Sequence, residues 1–214
     1  MAGSPEIVTT QADLGDPAVA GEFARLLASY HRQTEAEKGN AGSSIAELPE
    51  RYRREIEAPA EAFAAATVLI ARAVPASRAA SASPSRMPPV ADADEDEDED
   101  EDEATVVGCV VLAGAEPGMT GRDEATCGGH PVVEVKRLWV EPSGRGRGVA
   151  TALLEAAVGV AAGRVPAPRA VRLSVWDWRE PAIALYERLG FVRVPDARAW
   201  ESRPGLVCFE RSLP

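Results

Sequence analysis

Arg145-Gly146-Arg147-Gly148 is the segment of this 214-residue chain best suited to chemistry. A β-branched run, Val133 to Val140, precedes it and reads as a strand. Pro142 and Gly144 interrupt that run, and apolar spacing from Val149 to about Ala162 predicts a helix. Glycines allow backbone to approach a ligand closely, and amides at a helix start favour negative charge, so the turn reads as an anion cradle. Two familiar cradles fail on their own rules. After Gly144-x-Gly146 a dinucleotide turn needs a third glycine where Val149 stands, and the motif falls late in the chain; a P-loop needs Gly-Lys-Ser/Thr, which is absent.

The elements that must position this turn follow an α/β rhythm. Strands are expected at Ile7 to Thr10, Ala66 to Val74, Thr105 to Ala113, Val133 to Val140 and Ala170 to Val175. Phe191 to Val194 and Leu206 to Arg211 would close the sheet as a hairpin. Helices are expected at Asp16 to Arg32, with Asp16 as N-cap before Pro17, and at Ser44 to Glu57, with Ile45, Leu48 and Tyr52 on one side. Two more follow at Val149 to about Ala162 and at Pro181 to Leu189, the last stopped by Gly190. The expected fold is a mixed sheet of six to seven strands flanked by about four helices, in one domain over 1–214.

One segment breaks the rhythm. Residues 75–104 begin rich in Ala, Ser, Arg and Pro and then turn wholly acidic; they can bury little apolar area and repel themselves, so disorder is expected. Opening a hairpin loop from about 4 to about 30 residues costs roughly 2 kcal/mol, so the flanking strands should still pair. Gly114 to Gly129 reads as a second, shorter irregular loop. The acidic insert also explains the net charge of −11: Asp92 and the run Asp94 to Glu103 hold eleven acids, and the other 23 balance 23 basic residues. A broad nucleic-acid surface is therefore not indicated.

Cys109, Cys127 and Cys208 show no metal-binding spacing, and with only His31 and His130 a structural zinc site is not expected. An odd set of cysteines suits reduced thiols in the cytosol or nucleus. The start, Met1 to Glu6, lacks a basic n-region and an apolar h-region, and no stretch reaches the ~18 apolar residues of a membrane span.

Arg145-x-x-Gly148-x-Ala150 after a strand resembles the [Gln/Arg]-x-x-Gly-x-[Gly/Ala] signature of the GNAT superfamily of N-acetyltransferases. Ala182-Ile183-Ala184-Leu185-Tyr186-Glu187-Arg188-Leu189-Gly190-Phe191 resembles the A-x-x-L-Y-E-x-x-G-F segment that ends the core of that family. The resemblance is firm over about residues 132–194, looser before them, and absent from the acidic insert.

The resemblance implies acetyl-CoA as co-substrate, with no metal, its pyrophosphate held by the turn of Arg145, Gly146, Arg147, Gly148, Val149 and Ala150. It implies that backbone groups of Leu138, Trp139 and Val140 hold the pantetheine arm and polarise the thioester, as an oxyanion donor would. Tyr186 matches the tyrosine that protonates the departing thiolate, and Glu134 matches a catalytic glutamate of the histone-acetylating branch. Glu134 reads equally as a surface acid paired with Lys136 or Arg137, and Tyr186 as a packed helix tyrosine. Where the family often carries a cofactor-contacting Asn, seven residues before the tyrosine, this chain has Arg179, which could reach a CoA phosphate. Trp176, Asp177 and Trp178 line a pocket or pack a helix. Tyr30, His31, Tyr52, Arg53, Trp200 and Glu201 lie where the family selects acceptors but form no readable motif.

Two functions follow from this reading. The first is transfer of an acetyl group to a small-molecule amine or a protein amino group by direct attack in a ternary complex. The second is a non-catalytic interaction protein of the same fold, binding basic partners through its acidic tract. No nucleic-acid or membrane partner is expected.

Overall fold

The computed structural model describes residues 5–40, 44–75, 104–114, 132–195 and 204–214. Seven strands form one sheet: β1 (Glu6–Gln11), β2 (Thr67–Val74), β3 (Thr105–Ala113), β4 (Val132–Val140), β5 (Ala170–Trp176), β6 (Val192–Val194) and β7 (Leu206–Ser212). Their order is β1-β2-β3-β4-β5-β7-β6, with β7 inserted between β5 and β6. Every pairing is antiparallel except β4 with β5. Five helices are present among the described residues: α1 (Pro17–Glu37), α2 (Glu50–Glu57), α3 (Pro59–Ala62), α4 (Val149–Ala162) and α5 (Glu180–Arg188).

The central strands are apolar on both faces because both are covered, and side chains alternate between them. Leu69, Val110, Leu112, Val133, Val135, Val171 and Leu173 face α4, meeting Leu153, Leu154 and Ala157 in one core. Val68, Ile70, Cys109, Val111 and Trp139 face the other way, onto Phe23, Leu26 and Leu27 of α1. Cutting Leu153 or Leu154 to alanine should cost about 2–5 kcal/mol, since both are fully buried.

Most expected elements are present; the short helix α3 is additional, and three others differ. Helix α1 runs on to Glu37, five residues past the expected end, and Asp16 caps it by accepting from the Ala18 amide at 2.8 Å. The stretch Ser44 to Glu57 is not one helix: Pro49, extended at φ −49° and ψ 140°, separates a 3-10 turn at Ile45–Glu47 from α2. Ile45 is consequently 40% exposed, while Leu48 and Tyr52 are buried as expected. Phe191 precedes β6 and is buried against the α4-side core. The acidic insert lies outside the described residues apart from its edges, yet β2 and β3 on either side of it pair from Thr67↔Leu112 to Ala73↔Thr105. Most of the loop Gly114 to Gly129, with Cys127 and His130, and also Trp200 and Glu201, fall outside the described residues. Cys109 and Cys208 are buried free thiols. No described helix is long and apolar enough to cross a membrane.

Candidate active site

The sheet opens beside β4. Its parallel rungs with β5 run only from Val132↔Ala170 to Val135↔Leu173. Beyond them β4 stays with β3, ending at Gly108↔Val140, while β5 stays with β7 as far as Trp176↔Leu206. Leu138, Trp139 and Val140 thus border a gap, where strand edges leave backbone donors and acceptors for an extended ligand. Their side chains serve packing: Leu138 and Val140 lie on the α4-side core, and Trp139 is buried on the α1 side, donating from Nε1 to Glu141 at 3.2 Å.

A bulge sits at the mouth of this gap. Cys109 opposes Trp139 and Val111 opposes Lys136, so Arg137 and Leu138 together face Val110. Arg137 takes the left-handed conformation, φ +52°, which costs a non-glycine residue on the order of 1–3 kcal/mol. Its guanidinium grips Glu55 of α2 at two points, 2.8 and 2.6 Å, and His31 Nε2 meets the same carboxylate at 2.9 Å. Burial alone would raise the Glu55 carboxyl, but the hydrogen bonds from Arg137 and His31 overrule it and hold it at about 2. Burial lowers His31, against the opposing pull of Glu55. Facing a carboxylate, Nε2 is the donor, and Nδ1 is a buried nitrogen without a partner among the described residues.

Past β4, a 3-10 turn (Pro142–Gly144) leads to the Arg145–Gly148 segment. Gly144 is packed in: a Cβ there would lie 3.1 Å from Val107 Cβ. Gly146 and Gly148 are the opposite case, at φ +74° and +80°, with nothing within 4 Å of an added Cβ. Gly148 is the N-cap of α4 and has no side chain with which to cap it. The first amides of α4, Val149, Ala150 and Thr151, have no carbonyl one turn earlier, and together with the helix dipole they favour an anion. Arg147 is exposed beside them. Arg145 is turned back: its Nε donates to the Val140 carbonyl at 3.1 Å, its Nη2 to Gln33 at 2.9 Å, and it lies over the Trp139 ring at 5.0 Å. Gly108 lets β4 and the start of α4 approach β3 closely, because a Cβ there would come within 2.7 Å of the Trp139 carbonyl and 3.2 Å of Val149 Cγ1.

Tyr186 of α5 is only 7% exposed, its ring 6.1 Å from those of Phe191 and Phe209. Burial pushes its hydroxyl up to about 12; Tyr30 adds to this and Arg179 opposes it. Tyr30 belongs to α1, on the other face of the sheet, and packs 6.2 Å from Trp139. Arg179 donates to Glu37 and Thr34 of α1, so its side chain is engaged across the gap with α1. Glu134 lies on the α1 face of β4, as neighbour of Arg172 and 3.1 Å from Lys136 Nζ. Trp176 and Trp178 stack at 4.6 Å where β5 ends. Among the described residues no His, Cys, Asp and Glu cluster could hold a metal ion.

The strand, the turn and the helix bearing Tyr186 that the sequence singles out are all present. The sequence does not point to Glu55, whose pairing with Arg137 spans 82 positions, and it gives His31 no readable motif. The one available signal was the i, i+3 spacing of Tyr52 and Glu55 on α2, which puts both on one helix face.

Solved structures share this architecture. An acetyltransferase of the GNAT family from Staphylococcus aureus superposes with a TM-score of 0.56 at 10% identity, over 98% of this chain and 100% of that one. NAA60 from Arabidopsis thaliana, solved with a bisubstrate analogue, gives 0.56 at 18% identity over 97% of this chain and 98% of that one. The same protein solved with acetyl-CoA gives 0.53 at 17% identity, with the same coverage. No curated protein sequence matches the chain. The family model for the acetyltransferase (GNAT) family matches residues 72–191, from within β2 to Phe191 and across the whole gap, turn and Tyr186 helix. Since that match spans more than half of the sequence and takes in β4, the turn and the Tyr186 helix, the chain belongs to the acetyltransferase (GNAT) family.

Proposed function

We propose that the protein transfers an acetyl group from acetyl-CoA to an amine, directly and within a ternary complex. The observation that carries this reading is the gap between β4 and β5 beyond Val135 and Leu173, which ends at an uncapped helix start, with Tyr186 in the core cluster on which Leu138 and Val140 pack. The residues present fit the donor. Open space at Gly146 and Gly148 leaves the α4 amides accessible to a pyrophosphate, and the β4 edge at Leu138 to Val140 suits the amide-bearing pantetheine arm. Arg147 adds charge at the turn, and Arg179 would add it only by leaving Glu37. Arg145 holds the end of β4 instead of reaching outward.

Tyr186 serves as the acid that returns a proton to the sulfur. A phenol at about 12 is a poor acid for a thiolate in water, where thiols sit near 8.5; transfer would run uphill by roughly 5 kcal/mol. The water exclusion that raises the phenol also raises a thiol in the same dry gap, which narrows the difference. Glu134, on the α1 face of β4 and 3.1 Å from Lys136 Nζ, takes the proton of the acceptor ammonium directly or through water. The acceptor is a small-molecule amine or a protein amino group. NAA60, similar in fold, was solved with a bisubstrate analogue and with acetyl-CoA, which supports acetyl-CoA as the donor here.

The experiment is a thiol-release assay with acetyl-CoA against a panel of amines and amino-terminal peptides. Acceptor-dependent release supports the reading. Uptake of CoA with no release for any acceptor would favour the interaction protein whose acidic tract docks basic partners.

A further inference from the structure

The bulge in β4 is held from outside the strand. Arg137 keeps φ +52° with no glycine to make that conformation easy. Its side chain is fixed at two points by Glu55 and lies 5.7 Å from the Tyr30 ring and 5.9 Å from the Tyr52 ring. Its carbonyl accepts from the buried Cys109 thiol at 3.6 Å. Glu55 is fixed in turn by His31, which stacks on Tyr52 at 4.0 Å and 18°. One carboxylate therefore ties α1, α2 and β4 together where the strand begins to border the gap.

An ion pair is a weak device for stability but a strong one for direction, because a planar guanidinium gripped at two points cannot turn. A left-handed non-glycine residue persists only where its surroundings over-determine it. The next peptides along β4 are those of Leu138 to Val140, so the angle of the bulge sets where their amides and carbonyls point. We infer that Glu55 is a positioning residue for acyl transfer: through Arg137 it locks the bulge and so aims the Leu138–Val140 backbone into the gap. The inference rests on the proposed acetyl transfer for its kinetic consequence, but not for its structural one.

The test compares Glu55→Gln and Arg137→Lys, which keep size but lose the two-point charged grip, with Glu50→Gln at an exposed ion pair elsewhere on α2. The expected result is a fall in kcat of about 10- to 100-fold for the first two, the scale of a small misplacement at a reacting centre. Calorimetric affinity for CoA should stay within about twofold, since the turn at Gly148 is untouched, and Glu50→Gln should match wild type. In ligand-free protein, amide hydrogen exchange at Leu138 and Trp139 should quicken in both clamp variants and elsewhere stay unchanged. Unaltered kcat and exchange would overturn the inference. Parallel loss of kcat, CoA affinity and melting temperature would do the same, as would failure of both variants to fold, since the clamp would then serve stability alone. Should wild type take up no CoA, the proposed function fails by itself, and the exchange measurement still decides whether Glu55 governs the bulge.

Discussion

Replacing Tyr186 by phenylalanine separates chemistry from packing. The ring contributes contacts with Phe191 and Phe209 that phenylalanine would keep. The hydroxyl makes no hydrogen bond among the described residues, so its removal orphans no partner. Stability should therefore change by no more than about 0.5 kcal/mol, a shift in denaturant midpoint near the limit of measurement. If the same hydroxyl is the acid, turnover should fall by about 10²- to 10⁴-fold, equivalent to roughly 3–5 kcal/mol in the barrier. Donor affinity should hold. With burial pushing the hydroxyl up to about 12, the acid stays protonated through pH 10, so wild-type kcat should show no alkaline limb from this residue below that pH. Thiol release, calorimetry with CoA and urea unfolding on the same preparations supply the three numbers. Turnover within twofold of wild type in a fully folded Tyr186→Phe would refute the assignment.

Gly148→Val should weaken CoA binding by at least tenfold, because a β-branched residue at φ +80° is strained and its side chain would fill the space before the α4 amides; calorimetry checks it. Gly108→Val should destabilise by about 1–3 kcal/mol in chemical unfolding, since the Cβ alone comes within 2.7 Å of the Trp139 carbonyl. Stability should fall with pH in two stages. His31, lowered from 6.5 in the folded state, disfavours folding as pH drops below 6.5; Glu55, held at about 2 against 4.5, withdraws its contribution as pH drops from 4.5 toward 2. Glu55→Gln should shrink the lower stage, to which Glu35 with its lowered carboxyl also contributes, in urea midpoints measured across pH 8 to 3. Deleting Asp94 to Glu103 should leave turnover with a small amine unchanged; loss of that turnover would tie the acidic tract to catalysis.

How much could be read from the chain depended on how local the signal was. Strands such as Thr105–Ala113 are rich in β-branched residues, and α1 announces itself with an Asp cap and Pro17, so these elements are legible from neighbours alone. The turn at Gly148 is legible because glycines mark where backbone must be left-handed. The helix expected from Ser44 failed at Pro49, where a missing amide outweighs the apolar spacing on either side. The inserted position of β7 and the opening after Val135 were not legible, because pairing partners are set by the assembled sheet. The same holds for Arg137: nothing in Val-Lys-Arg-Leu signals a bulge, and its partner Glu55 lies in a different helix. Short-range chemistry in this site is written locally, whereas its aiming depends on contacts between distant segments.

The most direct measurement is a calorimetric titration of the folded chain with CoA, run beside Gly148→Val. Saturable one-to-one uptake by the wild-type chain, lost or sharply weakened in the variant, is the predicted result. No heat of binding from wild type, or equal affinity in both, would contradict the claim that the α4 turn holds the diphosphate of an acyl donor.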